Sequence, residues 1–198
     1  SATRFFDGPA FERDDSGDDR RFYGQPRLVQ HIDDQAIKTI SSLYGRLIPP
    51  GSRVLDLMSS WTSHLPDDLE TASVTGLGMN AEELAANARL RACDVHDLNR
   101  VPRLPYPDAS FDAVICTVSV EYLTRPFEVF ADVARVLVPG GVFVVTFSDR
   151  WFPPKVIRVW KELHPFERIG MVLELFRQTE QFESLATFSS QGWPRPVN

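Results

Sequence analysis

The stretch "FDAVICTVSVEYLTRPFEVFADVARVLVPGGVFVVTFS", residues 111–148, decides the fold. It opens on "FDAVICTVS", a near-continuous apolar run of the kind that a strand covered on both faces requires. "RPFEVFADVARVLVPGG" follows. Its Phe127, Phe130, Val133, Ala134 and Leu137 recur at three- and four-residue steps, which makes one apolar helical face, and Pro-Gly-Gly closes it. "VFVVTFS" is a second apolar strand. A strand, a covering helix and another strand form one turn of a parallel sheet with a right-handed crossover.

The same alternation extends towards the N-terminus. "RVLDLM" and "SVTGLGM" read as strands, "AEELAANARL" as a helix with Asn80 as its N-cap, and "RACDV" as a further strand. Before them, "HIDDQAIKTISSLYGRLI" has helical spacing, with Asp33 and Asp34 complementing the helix dipole. After residue 148 the pattern predicts two helices, "PPKVIRVWKEL" and "PFERIGMVLELFRQT", and a last strand, "FESLATFS". The expected fold is α/β: a doubly wound, mostly parallel sheet in a three-layer αβα sandwich of six or seven strands. Residues 1–24, with scattered Phe5, Phe6, Phe11, Phe22 and Tyr23, read as an irregular N-terminal arm, and residues 25–198 as one domain.

The chain of 198 residues is long enough for a substantial core. A net charge of −6 disfavours duplex nucleic acid or an anionic membrane as partner, since both need a basic face. No apolar run approaches the roughly 20 residues of a membrane span, and "SATRFFDGPAFERDD" does not read as a secretory leader. Cys116 is expected to be a buried thiol. No Cys/His cluster has metal-ligand spacing, so no metal is expected. These features suit a cytoplasmic protein, monomer or homodimer, that handles a small molecule. In an open parallel sheet the ligand crevice lies beyond the C-terminal strand ends, so residues 58–61, 78–80, 96–98, 117–122 and 148–152 carry the functional interest.

Leu104-Pro105-Tyr106-Pro107-Asp108-Ala109-Ser110-Phe111-Asp112, followed by a helix and Leu137-Val138-Pro139-Gly140-Gly141, resembles the class I S-adenosylmethionine-dependent methyltransferases of the type-11 kind. "RVLDL" and "VTGLGMN" resemble their first and second strands. The resemblance covers about residues 35–150. It implies S-adenosylmethionine as cofactor, S-adenosylhomocysteine as product and a small acceptor.

In that family a glycine-rich first loop approaches the methionine part. An acid after the second strand takes the ribose, and an Asp after the third accepts from the adenine amine. Here Met58, Ser60 and Thr62 stand where glycines are expected, and Gly78 where the ribose acid is expected. The resemblance therefore implies cofactor contacts from Asp56, Met58, Ser59, Ser60, Gly78, Met79, Asn80, Asp97, Leu98 and Val118. Asp56 is assigned to the ammonium, Asn80 to a ribose hydroxyl, and Asp97, with Asp94 as runner-up, to the adenine. Tyr23, Arg27, His31 and Tyr122 are candidates for the acceptor side. Glu82 and Glu83 read as the solvated first turn of a helix, Glu121 as a surface carboxylate and Asp112 as structural; no catalytic base is named. The altered loop also leaves open a ligand-binding protein on a methyltransferase scaffold, without methyl transfer.

Overall fold

The computed structural model describes residues 4–190. Residues 1–3 of the expected arm and the closing "QGWPRPVN" lie outside the described residues. The strands are β1 (Ser52–Ser59), β2 (Thr71–Gly78), β3 (Ala92–Val95), β4 (Phe111–Thr117) and β5 (Leu137–Thr146). The helices are α1 (Asp19–Phe22), α2 (Asp34–Leu47), α3 (Ala81–Ala86), α4 (Pro126–Val136), α5 (Arg158–Glu162) and α6 (Pro165–Thr179). The sheet order is β3-β2-β1-β4-β5, and every pairing is parallel. The order reverses between β1 and β4, so the crevice opens over their C-terminal ends.

Successive β4 residues point to opposite faces, and both faces are covered. Ala113 and Ile115 pack with Ile40 and Tyr44 of α2, while Val114 and Cys116 pack with Val129, Phe130 and Val133 of α4 and Leu175 of α6. This makes the three layers. Asp33 caps α2, its side chain accepting from the Ala36 amide at 2.8 Å. The fully buried Tyr44 shares a hydrogen bond with Thr117 Oγ1 and lies 3.3 Å from Thr146 Oγ1, so α2 is pinned to the tips of β4 and β5.

Three expectations need correction. The sheet has five strands among the described residues, not six or seven. "FESLATFS" forms no strand: Ser184 takes a left-handed φ of 55°, which breaks an extended run, and Phe182 packs onto Phe143 and Phe176 instead. The helix expected over "RPFEVFADVARVLVPGG" ends at Val136, and Leu137 already pairs with Phe111, with Gly140 turning the chain at φ 81°.

The N-terminal segment is fastened along its length. Its backbone pairs with residues 154–159 through Asp15 to Pro154, Arg158 to Glu12 and Val159 to Ala10. Beneath this seam Asp19 accepts from Arg13 at 2.9 Å and from the fully buried Lys155 at 2.9 Å. Burial opposes the charge on Asp19, but the bonds from Arg13, Lys155 and Asn99 prevail and hold its carboxyl below the ordinary range.

Glu121 is not a surface carboxylate. It is fully buried, and neither carboxyl oxygen has a hydrogen-bond partner among the described residues. The Ile157 amide donates to its carbonyl at 2.9 Å, which ties the segment after β5 to this position. Burial raises its pKa to about 8, against a weaker pull from its own backbone amide and from Arg168. A carboxyl raised in the folded state stabilises the fold at acid pH, and that stability is lost as pH rises towards 8. Glu121→Met is therefore expected to raise the melting temperature by several degrees at pH 8.5 and by much less at pH 5.5, as read by thermal unfolding.

Candidate active site

A cavity of about 240 Å³ lies over the C-terminal ends of β1, β2 and β4. Its walls are the loops after β1 to β5, and residues from 19 to 32 close it from the N-terminal side. Trp61 Nε1 donates to the Val29 carbonyl at 3.2 Å, joining the loop after β1 to that cover. Thirteen of the fourteen residues assigned above to cofactor or acceptor line this one cavity; Asn80 does not.

Asp56, near the end of β1, is only 2% exposed. Ser59 Oγ and Ser63 Oγ both donate to its Oδ2 at 2.6 Å. Asn87 fixes the direction of this chain. Its amide nitrogen, which can only donate, reaches Ser63 Oγ at 3.0 Å, so the Ser63 proton must point at Asp56. Burial raises the Asp56 pKa to about 7 despite the two hydroxyls. An ordinary buried carboxylate would have a cation beside it; here Oδ1 has no protein partner among the described residues.

The first loop keeps a glycine's backbone without the glycine. Met58 bulges out of β1 at φ 58°, and Ser59 then pairs with Gly78. His64 and Val118, also on the cavity, take φ 57° and 45°. A β-branched residue in this region is a genuine outlier, and such strain concentrates at ligand sites.

The Ser59–Gly78 pairing explains the missing acid. A Cβ at Gly78 would collide with the Ser59 carbonyl oxygen, so no side chain fits at that post. Asn80 cannot replace it, which corrects its assignment. Its Oδ1 accepts from the Glu82 and Glu83 amides, both at 3.0 Å. Its Nδ2 donates to the Tyr23 and Gly24 carbonyls, so all four hydrogen-bonding positions are filled. Glu83, read from the sequence as part of a solvated first turn, lies on the cavity. It is half-buried on the cavity wall, and its Oε1 accepts from the Arg27 amide at 2.7 Å.

Asp97 and Leu98 follow β3 on the cavity. Asp97 Oδ1 accepts from the Asn99 amide at 3.0 Å in a local turn. Asp94 points elsewhere, accepting from the Tyr106 hydroxyl at 2.8 Å. Tyr23, Arg27, His31 and Tyr122 also line the cavity, with Trp151 and Phe152. The Tyr122 hydroxyl accepts from the Phe152 amide at 2.8 Å, so it fixes a wall. The cavity wall thus carries the acids Asp56, Glu83 and Asp97 together with aromatic side chains and the cations Arg27 and Arg150.

Residues 59–145 match the family described as "Methyltransferase domain". The match takes in less than half of the chain, and it is this segment that is similar to the methyltransferase family. Members use S-adenosylmethionine in general. The chain is 36% identical over 104 residues to a fatty-acid O-methyltransferase of Mycolicibacterium smegmatis, covering 48% of itself and 37% of that protein. It is 33% identical over 107 residues to a demethylmenaquinone methyltransferase of Renibacterium salmoninarum, covering 53% and 45%. It spans less than half the length of these curated relatives. Among solved structures, the SpnF cyclase superposes with a TM-score of 0.57 at 22% identity, covering 81% of this chain and 66% of that one. The PH0226 protein of Pyrococcus horikoshii OT3 superposes with a TM-score of 0.52 at 22% identity, covering 67% and 68%. At these identities the superpositions speak for fold alone. Among the described residues no helix is long and apolar enough to cross a membrane.

Proposed function

We propose that this chain binds S-adenosylmethionine in the cavity and methylates a small acceptor. The observation that carries this reading is the buried, cation-poor Asp56 at the tip of β1, with one carboxyl oxygen still unpartnered. The donor set fits the cofactor. Asp56 would face the ammonium, Glu83 the ribose hydroxyls in place of the excluded acid at Gly78, and Asp97 the adenine amine. Met58, Ser59, Ser60 and Val118 would approach through the backbone, and Met79 and Leu98 would supply apolar contact. When bound, the cofactor supplies a methyl group on a sulfonium, whose sulfur departs as a neutral thioether.

The chain's own contribution is positioning and exclusion of water. Ser59 and Ser63 hold the Asp56 carboxylate in place, and the 19–32 segment covers the cavity. The aromatic side chains on the cavity, Tyr23, Tyr122, Trp151 and Phe152, favour a small, partly apolar acceptor. Cys93 is exposed and Cys116 buried, and both are free thiols, which favours the cytoplasm.

Glu83→Gln is the test specific to this site. It should weaken S-adenosylhomocysteine binding about tenfold, as for one charge-assisted hydrogen bond, with the fold retained. Unchanged affinity would remove Glu83 from the ribose post. The second reading, a binder without methyl transfer, draws on the strained first loop. Release of S-adenosylhomocysteine from S-adenosylmethionine in an acceptor screen distinguishes the two.

A further inference from the structure

Arg27 stands among the aromatic residues of the cavity wall, and the proposed methyl transfer does not use its charge. Its guanidinium carbon lies 4.6 Å from the centre of the Phe22 ring, 5.4 Å from Phe152 and 5.9 Å from Tyr23. Stacking of this kind fixes the plane of the guanidinium and leaves its edge to make hydrogen bonds. Of its five N–H donors, one on Nη2 reaches the Phe22 carbonyl at 3.0 Å. No carboxylate is paired with the guanidinium among the described residues. The nearest acid, Glu83, is held by the Arg27 backbone amide. A half-buried, preoriented guanidinium with an unused edge on a cavity wall is a recognition element for a planar anion.

We infer that the acceptor carries a carboxylate on a planar or apolar body, and that Arg27 anchors this carboxylate by a bidentate pair. The inference rests on the reading that the cavity holds cofactor and acceptor together. A monoanion suits the site better than a phosphate dianion, because the acids Asp56, Glu83 and Asp97 line the cavity against the two arginines Arg27 and Arg150. The body would rest against Tyr122, Trp151 and Phe152. A bidentate pair occupies both carboxylate oxygens, so the carboxylate is the handle and the methyl group goes to another atom.

The experiment begins with S-adenosylhomocysteine titrated into wild type, Arg27→Met and Arg27→Lys, all expected to bind it alike. Benzoate, octanoate, their primary amides and phenyl phosphate are then titrated into each saturated protein, with binding read by calorimetry and thermal shift. In wild type at least one carboxylate should bind ten times or more tighter than its amide. Arg27→Met, which keeps apolar packing against Phe22 and Phe152, should abolish that preference, and Arg27→Lys should keep part of it. The inference is overturned if no carboxylate binds, if the amides bind equally, if Arg27→Met keeps the preference, or if phenyl phosphate binds more tightly than benzoate. Failure of S-adenosylhomocysteine to bind wild type overturns the functional reading, and this inference with it.

Discussion

Asp56→Asn is expected to weaken S-adenosylhomocysteine binding ten- to a hundredfold at pH 8 while leaving the fold at least as stable as the wild type. Both parts follow from one carboxyl. In the folded protein burial raises its pKa to about 7 from an ordinary value of 3.8. A group raised in this way contributes stability at acid pH that is lost as pH climbs from about 4 through 7. At pH 8 the wild type therefore carries a buried charge with no protein cation beside it. The amide removes that charge and still accepts from Ser59 and Ser63 through its oxygen. The ammonium of the ligand, in contrast, loses a charge-assisted bond worth about 1.5–3 kcal/mol. Ligand binding should draw the Asp56 proton off, so wild-type affinity should rise with pH between about 6 and 8, and the variant should show no such rise. Calorimetry at pH 6 and 8 reads both effects; a pH-independent wild type would contradict the assignment.

Gly78→Ala is expected to cost about 3 kcal/mol, the upper range for forcing atoms into a packed site, or roughly 6–12 °C in melting temperature for a chain of this size. The new Cβ has no free space, because it meets the Ser59 carbonyl oxygen, a backbone atom that only a parting of β1 from β2 can move. Gly78→Asp, which places an acid where the family usually has one, should do no better and should bind S-adenosylhomocysteine less well than wild type. Recovery of tighter binding by Gly78→Asp would show that the bulge at Met58 yields easily and that Glu83 is not the substitute acid.

These two positions show what the sequence made legible and what it did not. The order of strands and helices from residue 52 to 146 was readable because each element announces itself locally: a continuous apolar run for β4, a three-and-four spacing for α4, an Asn N-cap for α3. That the chain tips gather around one crevice follows from parallel topology, which placed Asp56, Gly78, Asp97 and Val118 together in advance. Long-range packing was not readable. Glu83 and Glu121 each read as an exposed acid in the sequence. One lies half-buried on the cavity, its carboxylate accepting from the Arg27 amide, and the other is fully buried, its carbonyl accepting from the Ile157 amide. "FESLATFS" has strand composition, but a strand needs a partner, and Phe182 finds the side chains of Phe143 and Phe176 instead. Met58 in place of an expected glycine read as an altered first loop. The loop instead keeps a left-handed backbone at that position, held by the pairing of Ser59 with Gly78.

The most direct measurement is isothermal titration of S-adenosylhomocysteine into the wild-type protein at pH 8, beside Asp56→Asn. Saturable binding with one ligand per chain, weakened at least tenfold in the variant, is the result expected of a cavity that holds the cofactor on Asp56. No heat and no thermal shift at millimolar ligand, or equal affinity in both proteins, would contradict it.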